Sequence, residues 1–141
     1  MLMLGCWVGA GAQAQFAMVP SPLPSAALQP SQAESDKDYR MDAAKHLYAA
    51  YPARVFKGRM PPLLYGVAIV ETEIDAAGQV VDVRVRRPPA APEVGPWIVQ
   101  MIRKAAPFPL PSKMEKAVYV DVWLVHKGGN FQLDALTEGQ N

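Results

Sequence analysis

Residues 65–88, YGVAIVETEIDAAGQVVDVRVRRP, predict two antiparallel strands joined by a tight turn. Apolar and polar residues alternate over residues 66–74, which is the period of a strand that buries one of its faces. The expected buried face consists of Ala68, Val70, Thr72 and Ile74, and the expected exposed face carries Glu71 and Glu73. The remainder of the chain is therefore expected to cover the buried face or to extend an edge of this hairpin.

The turn and the second strand follow directly. Asp75 can accept hydrogen bonds from the backbone ahead of it, and Gly78 can adopt a positive φ without steric cost. Over residues 80–86, Val81, Val83 and Val85 alternate with Asp82, Arg84 and Arg86. This alternation predicts a second strand that lies antiparallel to the first.

Composition limits the size and the class of the protein. The chain has 141 residues with a net charge of +1, which leaves room for one domain of about 100 residues after a leader and a linker. No run of lysines and arginines is long enough to hold a nucleic-acid backbone, so nucleic acid is excluded as a partner. Cys6 is the single cysteine and cannot form a disulfide within the chain.

The N-terminal residues resemble an export signal. Residues 1–14 are apolar and then small, and Ala12-Gln13-Ala14 fits the pattern before a cleavage point. An alternative is a lipoprotein signal in which Cys6 becomes acylated. A membrane-spanning helix is not expected, because the apolar stretch is too short for one. Residues 15–35 carry four prolines among Ser, Ala and Gln and are expected to form an extended linker. Residues 137–141 are polar and are expected to form a frayed tail. The domain is expected to occupy residues 36–136.

Two amphipathic helices are expected to cover the hairpin. The first begins at Ser35 or Asp36 and ends near Pro52, and its apolar positions are Met41, Ala44, Leu47, Tyr48 and Tyr51. His46 lies on this helix and is interpreted as a surface or packing residue. The second helix covers residues 93–106, with an apolar stripe of Val94, Trp97, Ile98, Met101, Ile102 and Ala105.

The third strand is predicted at residues 117–126, AVYVDVWLVH. Val118, Val120, Val122 and Leu124 are expected on the core face, and Tyr119, Trp123 and Val125 on the other. A right-handed crossover through the second helix places this strand beside the first, which gives the order 2-1-3 and an α+β fold. The third strand is then an edge, unless residues 131–133 fold back as a fourth strand and partly cover it.

The order of these features resembles the TonB C-terminal domain family. The resemblance covers residues 51–125 and depends on Tyr51-Pro52, on the turn from Asp75 to Gly78, on Pro107-Phe108-Pro109, and on the strand that follows. It implies a periplasmic domain that binds an extended segment of an outer-membrane transport receptor, resembling a TonB box, by strand addition. The implied docking edge is Val118, Tyr119, Val120, Asp121, Val122, Trp123 and Leu124, with Tyr119 and Trp123 as side-chain anchors and Tyr51 and Pro52 as a second contact.

Family members that transduce energy have an N-terminal membrane anchor and a long proline-rich spacer. Because residues 1–14 are too short to span a bilayer, contact with an inner-membrane motor complex is not expected. The predicted function is therefore that of an exported docking module, and the alternative is a structural or homodimeric domain with a closed sheet edge.

No catalytic constellation is evident, so a non-enzymatic protein without cofactor or metal is expected. Glu71, Glu73 and Asp75 recur at every second residue and could form a carboxylate or hard-metal site. Arg84 and Arg86 are expected to lie opposite them in the hairpin, where opposite charges pair on the exposed face. Ion pairing is therefore the favoured interpretation of these carboxylates.

Overall fold

The computed structural model describes residues 15–24, 29–61 and 64–137. These residues form two helices, each followed by two strands. Their bounds are α1 (Asp36–Ala50), β1 (Gly66–Ile74), β2 (Val80–Arg87), α2 (Val94–Lys104), β3 (Ala117–His126) and β4 (Asn130–Leu133). The strands form one antiparallel sheet in the order β2-β1-β3-β4, and a single 3-10 turn follows β4. The predicted α+β class, the order 2-1-3 and the fourth strand are confirmed.

The hairpin forms as its alternation predicts. All four residues expected on the inner face of β1 are buried. In the turn, Oδ1 of Asp75 accepts from the backbone N–H groups of Ala77 and Gln79, each at 2.9 Å. Val81 departs from the alternation of β2, because it is 51% exposed. A β-bulge pairs Ile74 with Val80, so Val81 becomes the extra residue and turns outward.

Both helices pack on the same face of the sheet. Ser35 caps α1 by accepting from the N–H of Asp38 at 3.2 Å, and the apolar stripe predicted for α2 is buried throughout. On α1 the exposed Met41 is not part of the buried face, and Tyr39 and Ala43 contribute to it instead. His46 packs against Phe108 and its Nε2 lies 2.7 Å from the carbonyl oxygen of Ala105, which confirms its interpretation as a packing residue.

The face assignment predicted for β3 is wrong. Its buried residues are the odd-numbered ones, Ala117, Tyr119, Asp121, Trp123 and Val125, whereas Val118, Val120, Val122 and Leu124 lie on the face opposite the helices. The register explains this, because Ala68 lies opposite Trp123 and Thr72 opposite Tyr119. Residues directly opposite each other share a face, so the aromatic residues of β3 join the buried face of β1.

The segment expected to be a free linker contacts the domain in its described parts. Phe16 is buried, with its ring edge-on to Trp97 at 4.9 Å and stacked on Tyr65 at 5.4 Å. Ser31 is also buried and its N–H donates to the carbonyl of Leu110 at 2.9 Å. The described parts of the segment are therefore held against the domain and do not form the free linker that was expected. Cys6, the rest of the predicted leader and most of the predicted tail lie outside the described residues.

Phe16→Ala is expected to lower the free energy of unfolding by about 2 kcal/mol, below the usual range for a core phenylalanine. The loss is limited because the segment can detach, which recovers chain entropy. Urea denaturation followed by circular dichroism measures the change. Met18→Ala is the matched control, since Met18 is 79% exposed and its truncation should leave stability unchanged. Equal effects of the two substitutions would contradict the docking of Phe16.

Candidate functional site

The third strand is not an edge strand over its C-terminal half. Residues 123–126 of β3 pair with β4, and residues 54–56 lie along the far side of β4. The N–H of Phe56 donates to the carbonyl of Phe131 at 2.9 Å, and the N–H of Phe131 donates to the carbonyl of Arg54 at 2.8 Å. A partner strand could reach this half of β3 only by displacing both segments.

The N-terminal half of β3 lies beyond the reach of β4. Here the N–H of Val118 donates to Oδ1 of Asp36 at 3.0 Å, and the N–H of Val122 donates to Oδ1 of Asp121 at 2.8 Å. Val120, which lies between them, is 42% exposed. Carboxylates therefore occupy backbone donors that an added strand would need, and only a short stretch around Val120 is accessible.

The side chains of the two predicted aromatic anchors point into the core of the domain. Tyr119 and Trp123 are both buried under the helices, and the Trp123 ring stacks on Phe131 with centroids 4.8 Å apart. Burial also raises the pKa of the Tyr119 hydroxyl. These side chains stabilise the core and cannot serve as surface anchors.

Tyr51 and Pro52, the predicted second contact, lie after the last turn of α1. The hydroxyl of Tyr51 donates to the carbonyl oxygen of Met101 at 2.6 Å, so this buried residue connects the two helices. Pro52 is exposed and lines a small cleft with Pro20 and Leu23 of the N-terminal segment. Tyr51 is therefore a structural residue, whereas Pro52 lines a cleft whose wall includes the chain's own N-terminal segment.

A buried carboxylate, absent from the sequence-based expectations for the core, lies under the sheet. Asp121 is 3% exposed and accepts from Arg40 of α1 at 3.0 Å and from the N–H of Ala135 at 3.2 Å. Arg40 also binds Asp134 at 2.8 Å, so the cluster joins α1, β3 and the turn after β4. Burial raises the pKa of Asp121, while the N–H of Val122 and the Arg40 guanidinium oppose the rise. In the sequence, the signal for this buried carboxylate is a single acidic residue within an otherwise apolar strand.

The opposite edge of the sheet is open. β2 is the terminal strand, and among the described residues only β1 pairs with it. Two register irregularities bound its central part, leaving residues 82–85 in regular pairing with β1. Topology could have indicated this edge, because the order 2-1-3 leaves β2 as an edge when the fourth strand pairs with the third.

An apolar groove lies between the open edge and α2. It has a volume of about 570 Å³ and is lined by Val85, four prolines of the β2–α2 region, and the helix residues Gly95, Val99 and Gln100. The four prolines are Pro88, Pro89, Pro92 and Pro96. The groove therefore places a rigid apolar wall directly beside unpaired strand backbone.

The carboxylates considered for catalysis are engaged elsewhere. Glu71 binds Arg86 at 2.6 Å and Arg84 at 3.2 Å, and hydrogen bonding to Arg86 is the main cause that lowers its pKa. Glu73 lies 3.6 Å from Lys116, and Asp75 caps the hairpin turn. The predicted ion pairing across the hairpin is thus confirmed for Glu71, and the three carboxylates do not converge on one point.

The described ranges, 15–24, 29–61 and 64–137, contain neither a clustered set of metal ligands nor a helix suited to cross a membrane. They contain no group of three or more His, Cys, Asp or Glu residues that could hold a metal ion. Within these same ranges, no helix combines the length and apolar character needed to cross a membrane.

The fold defines a small α+β domain with helices on one sheet face and, within the described residues, one unpaired edge. No protein-family model, curated protein or solved structure matches the chain. The resemblance to the TonB C-terminal domain family accordingly remains a prediction from the sequence.

Proposed function

We propose that this chain is an exported, non-enzymatic docking module that binds an extended protein segment by strand addition. The single observation that carries the proposal is the open edge of β2. An unpaired strand presents a row of N–H and C=O groups whose natural complement is another extended chain. Main-chain hydrogen bonds supply much of the affinity in this mode, and pockets for alternate side chains supply the specificity.

The proposal moves the docking edge from β3 to β2. Strand addition at β3 would require the release of β4 and of residues 54–56, whereas addition at β2 would displace no strand among the described residues. An edge strand that is already in place and unpaired can bind without the cost of ordering or displacing another segment. The edge of β2 is therefore the favoured place for a partner.

The partner class follows from the resemblance to the TonB family. We propose a short extended segment of an outer-membrane transport receptor as the ligand and the periplasm as the compartment. No role in contacting a motor complex is proposed.

A second candidate site is the stretch of β3 around Val120. Its exposure, beyond the end of β4, would allow a partner to pair there and then displace β4. A third outcome, self-association through either edge, corresponds to a structural role as a homodimer. These alternatives make different predictions for the same titration.

The test is an amide NMR titration of the full chain with short N-terminal peptides from outer-membrane receptors. Shifts confined to residues 80–87 and the adjoining face of α2 support docking at β2. Shifts at residues 118–126 together with faster amide exchange in β4 support the second candidate and overturn the first. An absence of shifts at millimolar peptide, with a concentration-dependent sedimentation coefficient, overturns peptide docking in favour of a homodimer.

A further inference from the structure

We infer that the β2 edge and its groove select an extended segment in which acidic and aliphatic residues alternate. This inference rests on the proposed function and specifies the chemistry of its partner. It follows from two properties of β2 that differ between its faces: a basic row on one face and an apolar groove on the other.

On the face away from the helices, the C-terminal end of β2 carries a basic row. Arg84 and Arg86 are more than half exposed despite the contacts of both to Glu71 and of Arg84 to Asp82, and Arg87 follows them at the end of the strand. Arg87 lies opposite Ile69 in the register and forms no ion pair with any described residue. A strand added to β2 would place every second side chain beside this row, where opposite charges in neighbouring strands attract.

The residues around the groove carry a net positive charge, as the row of arginines on β2 does. Residues 80–104, from the start of β2 to the end of α2, carry five basic residues and two acidic ones, whereas the whole chain has a net charge of only +1. Asp82 pairs with Arg84, and Glu93 accepts a hydrogen bond from the hydroxyl of Tyr65. Arg103 and Lys104 lie in the last turn of α2, after the helix residues that line the groove. An acidic segment therefore approaches a locally positive surface, while a basic segment is repelled.

The face toward the helices accepts apolar side chains. Val85 opens directly into the groove, and the helix wall opposite consists of Gly95, Pro96 and Val99. A Cβ added at Gly95 would meet only Pro89, at 3.8 Å, so the glycine leaves open space in the first turn of α2. An aliphatic side chain from an added strand, on the face opposite its acidic residues, would fill this space and bury apolar surface.

Charged residues and bulges on an edge strand also oppose edge-to-edge association, and this is the competing explanation for the basic row. The two explanations differ at the groove. Protection against aggregation requires no apolar cleft beside the strand, whereas recognition of an alternating segment requires both features together. Perturbing the groove while leaving the charges intact therefore separates them.

The experiment titrates the full chain with capped ten-residue peptides, followed by amide NMR. In the first peptide Glu alternates with Val; in the second Lys replaces Glu; in the third Ser replaces Val. A fourth carries N-methyl groups on every amide of the first, which removes the donors needed for strand pairing from both of its edges. The first peptide should shift the amides of β2 and bind at least about tenfold more tightly than each of the others, with an affinity that falls as salt is added.

Two variants test the chain's own contribution. Gly95→Leu should fill the groove and weaken binding of the Glu/Val peptide about tenfold, while the matched Gly95→Ala leaves most of the groove open and changes binding little. Arg87→Glu should weaken binding about fivefold, and Arg59→Glu, an exposed reversal outside the β2 edge and groove, should not. Circular dichroism on each variant verifies that it is folded.

The possible outcomes separate the inference from the proposed function. Equal binding of the Glu/Val and Lys/Val peptides at β2, or no effect of Gly95→Leu, overturns the inference and leaves strand addition standing. Binding that survives N-methylation overturns strand addition itself. No shift in β2 with any of these peptides or with the receptor peptides overturns both.

Discussion

Gly78→Ala is expected to lower the free energy of unfolding by about 3 kcal/mol or more. Gly78 has a φ of +81°, which costs an L-residue about 1–2 kcal/mol. A Cβ at this position would also lie 2.3 Å from the carbonyl oxygen of Phe108, a backbone atom that cannot move alone. The backbone would have to shift, and the hydrogen bond from the N–H of Phe108 to the carbonyl of Gly78, now 2.7 Å, would be lost.

The matched control for this prediction is Gly58→Ala. Gly58 has the same φ of +81°, but a Cβ there would have no neighbour within 4 Å. Only the conformational cost of about 1–2 kcal/mol then applies. Urea denaturation of both variants isolates the close approach between the hairpin turn and Phe108. A difference smaller than about 1 kcal/mol would mean that this contact does not hold the turn against the loop after α2.

Arg40→Met is expected to cost about 3 kcal/mol at pH 7, since it leaves a buried carboxylate without its cation. Asp121 is 3% exposed, and its Oδ2 has no hydrogen-bond partner among the described residues. Arg40 is itself 28% exposed, which places the loss at the lower end of the range for broken buried pairs. Urea denaturation at several pH values is the measurement.

The sign of the pH dependence follows from the direction of the shift. The pKa of Asp121 is raised in the folded protein, so the native state holds a proton more tightly than the unfolded chain. The contribution of this group to stability therefore falls as the pH rises from the unfolded pKa, about 3.9, through the folded value. Removing Arg40 raises the folded pKa further. The deficit of Arg40→Met should thus be largest at pH 7 and should shrink on acidification.

Two comparisons make this prediction specific. Arg84→Met breaks an exposed pair and should change stability by less than about 1 kcal/mol. Adding Asp121→Asn to Arg40→Met removes the unpaired charge but keeps an acceptor for the N–H groups of Val122 and Ala135, so part of the loss should be recovered. A deficit independent of pH, or one equal to that of Arg84→Met, would contradict a buried ion pair.

The hairpin and α2 could be predicted because local pattern and tertiary environment agree there. In β1 one face is apolar apart from Thr72, whereas burial of the other face would bury Glu71 and Glu73 together with Val67 and Ile69. In α2 the apolar stripe has a single uninterrupted face. The positive φ of Gly78 likewise follows from residue type, because the turn needs a conformation that glycine adopts readily.

The orientation of β3 could not be predicted in this way. Both of its faces are rich in apolar residues, so alternation does not indicate which one is buried. The presence of Asp121 favoured the wrong face, since its cation comes from Arg40, 81 residues earlier in the chain. Long-range pairing of this kind leaves no periodic signal near β3.

The cover over the edge of β3 could not be predicted for a related reason. The third strand was expected to be an edge because no neighbouring strand was certain. Its neighbours in the structure are the four residues of β4 and, beyond them, residues 54–56, and these segments have no strand-like alternation of their own. Composition likewise misrepresented the N-terminal segment, because a few residues such as Phe16 and Ser31 hold a stretch that is otherwise typical of linkers. The groove at Gly95 has no sequence signal beyond the prolines that line it.

The contact between Phe16 and Trp97 also gives the protein an optical reporter. The indole of Trp97 is buried, and Phe16 contacts its ring from the N-terminal segment. Detachment of that segment would admit water to the indole and move its emission to longer wavelength. In a chain in which Trp7 and Trp123 are replaced by Phe, fluorescence would therefore follow the attachment of the N-terminal segment in real time, separately from global unfolding.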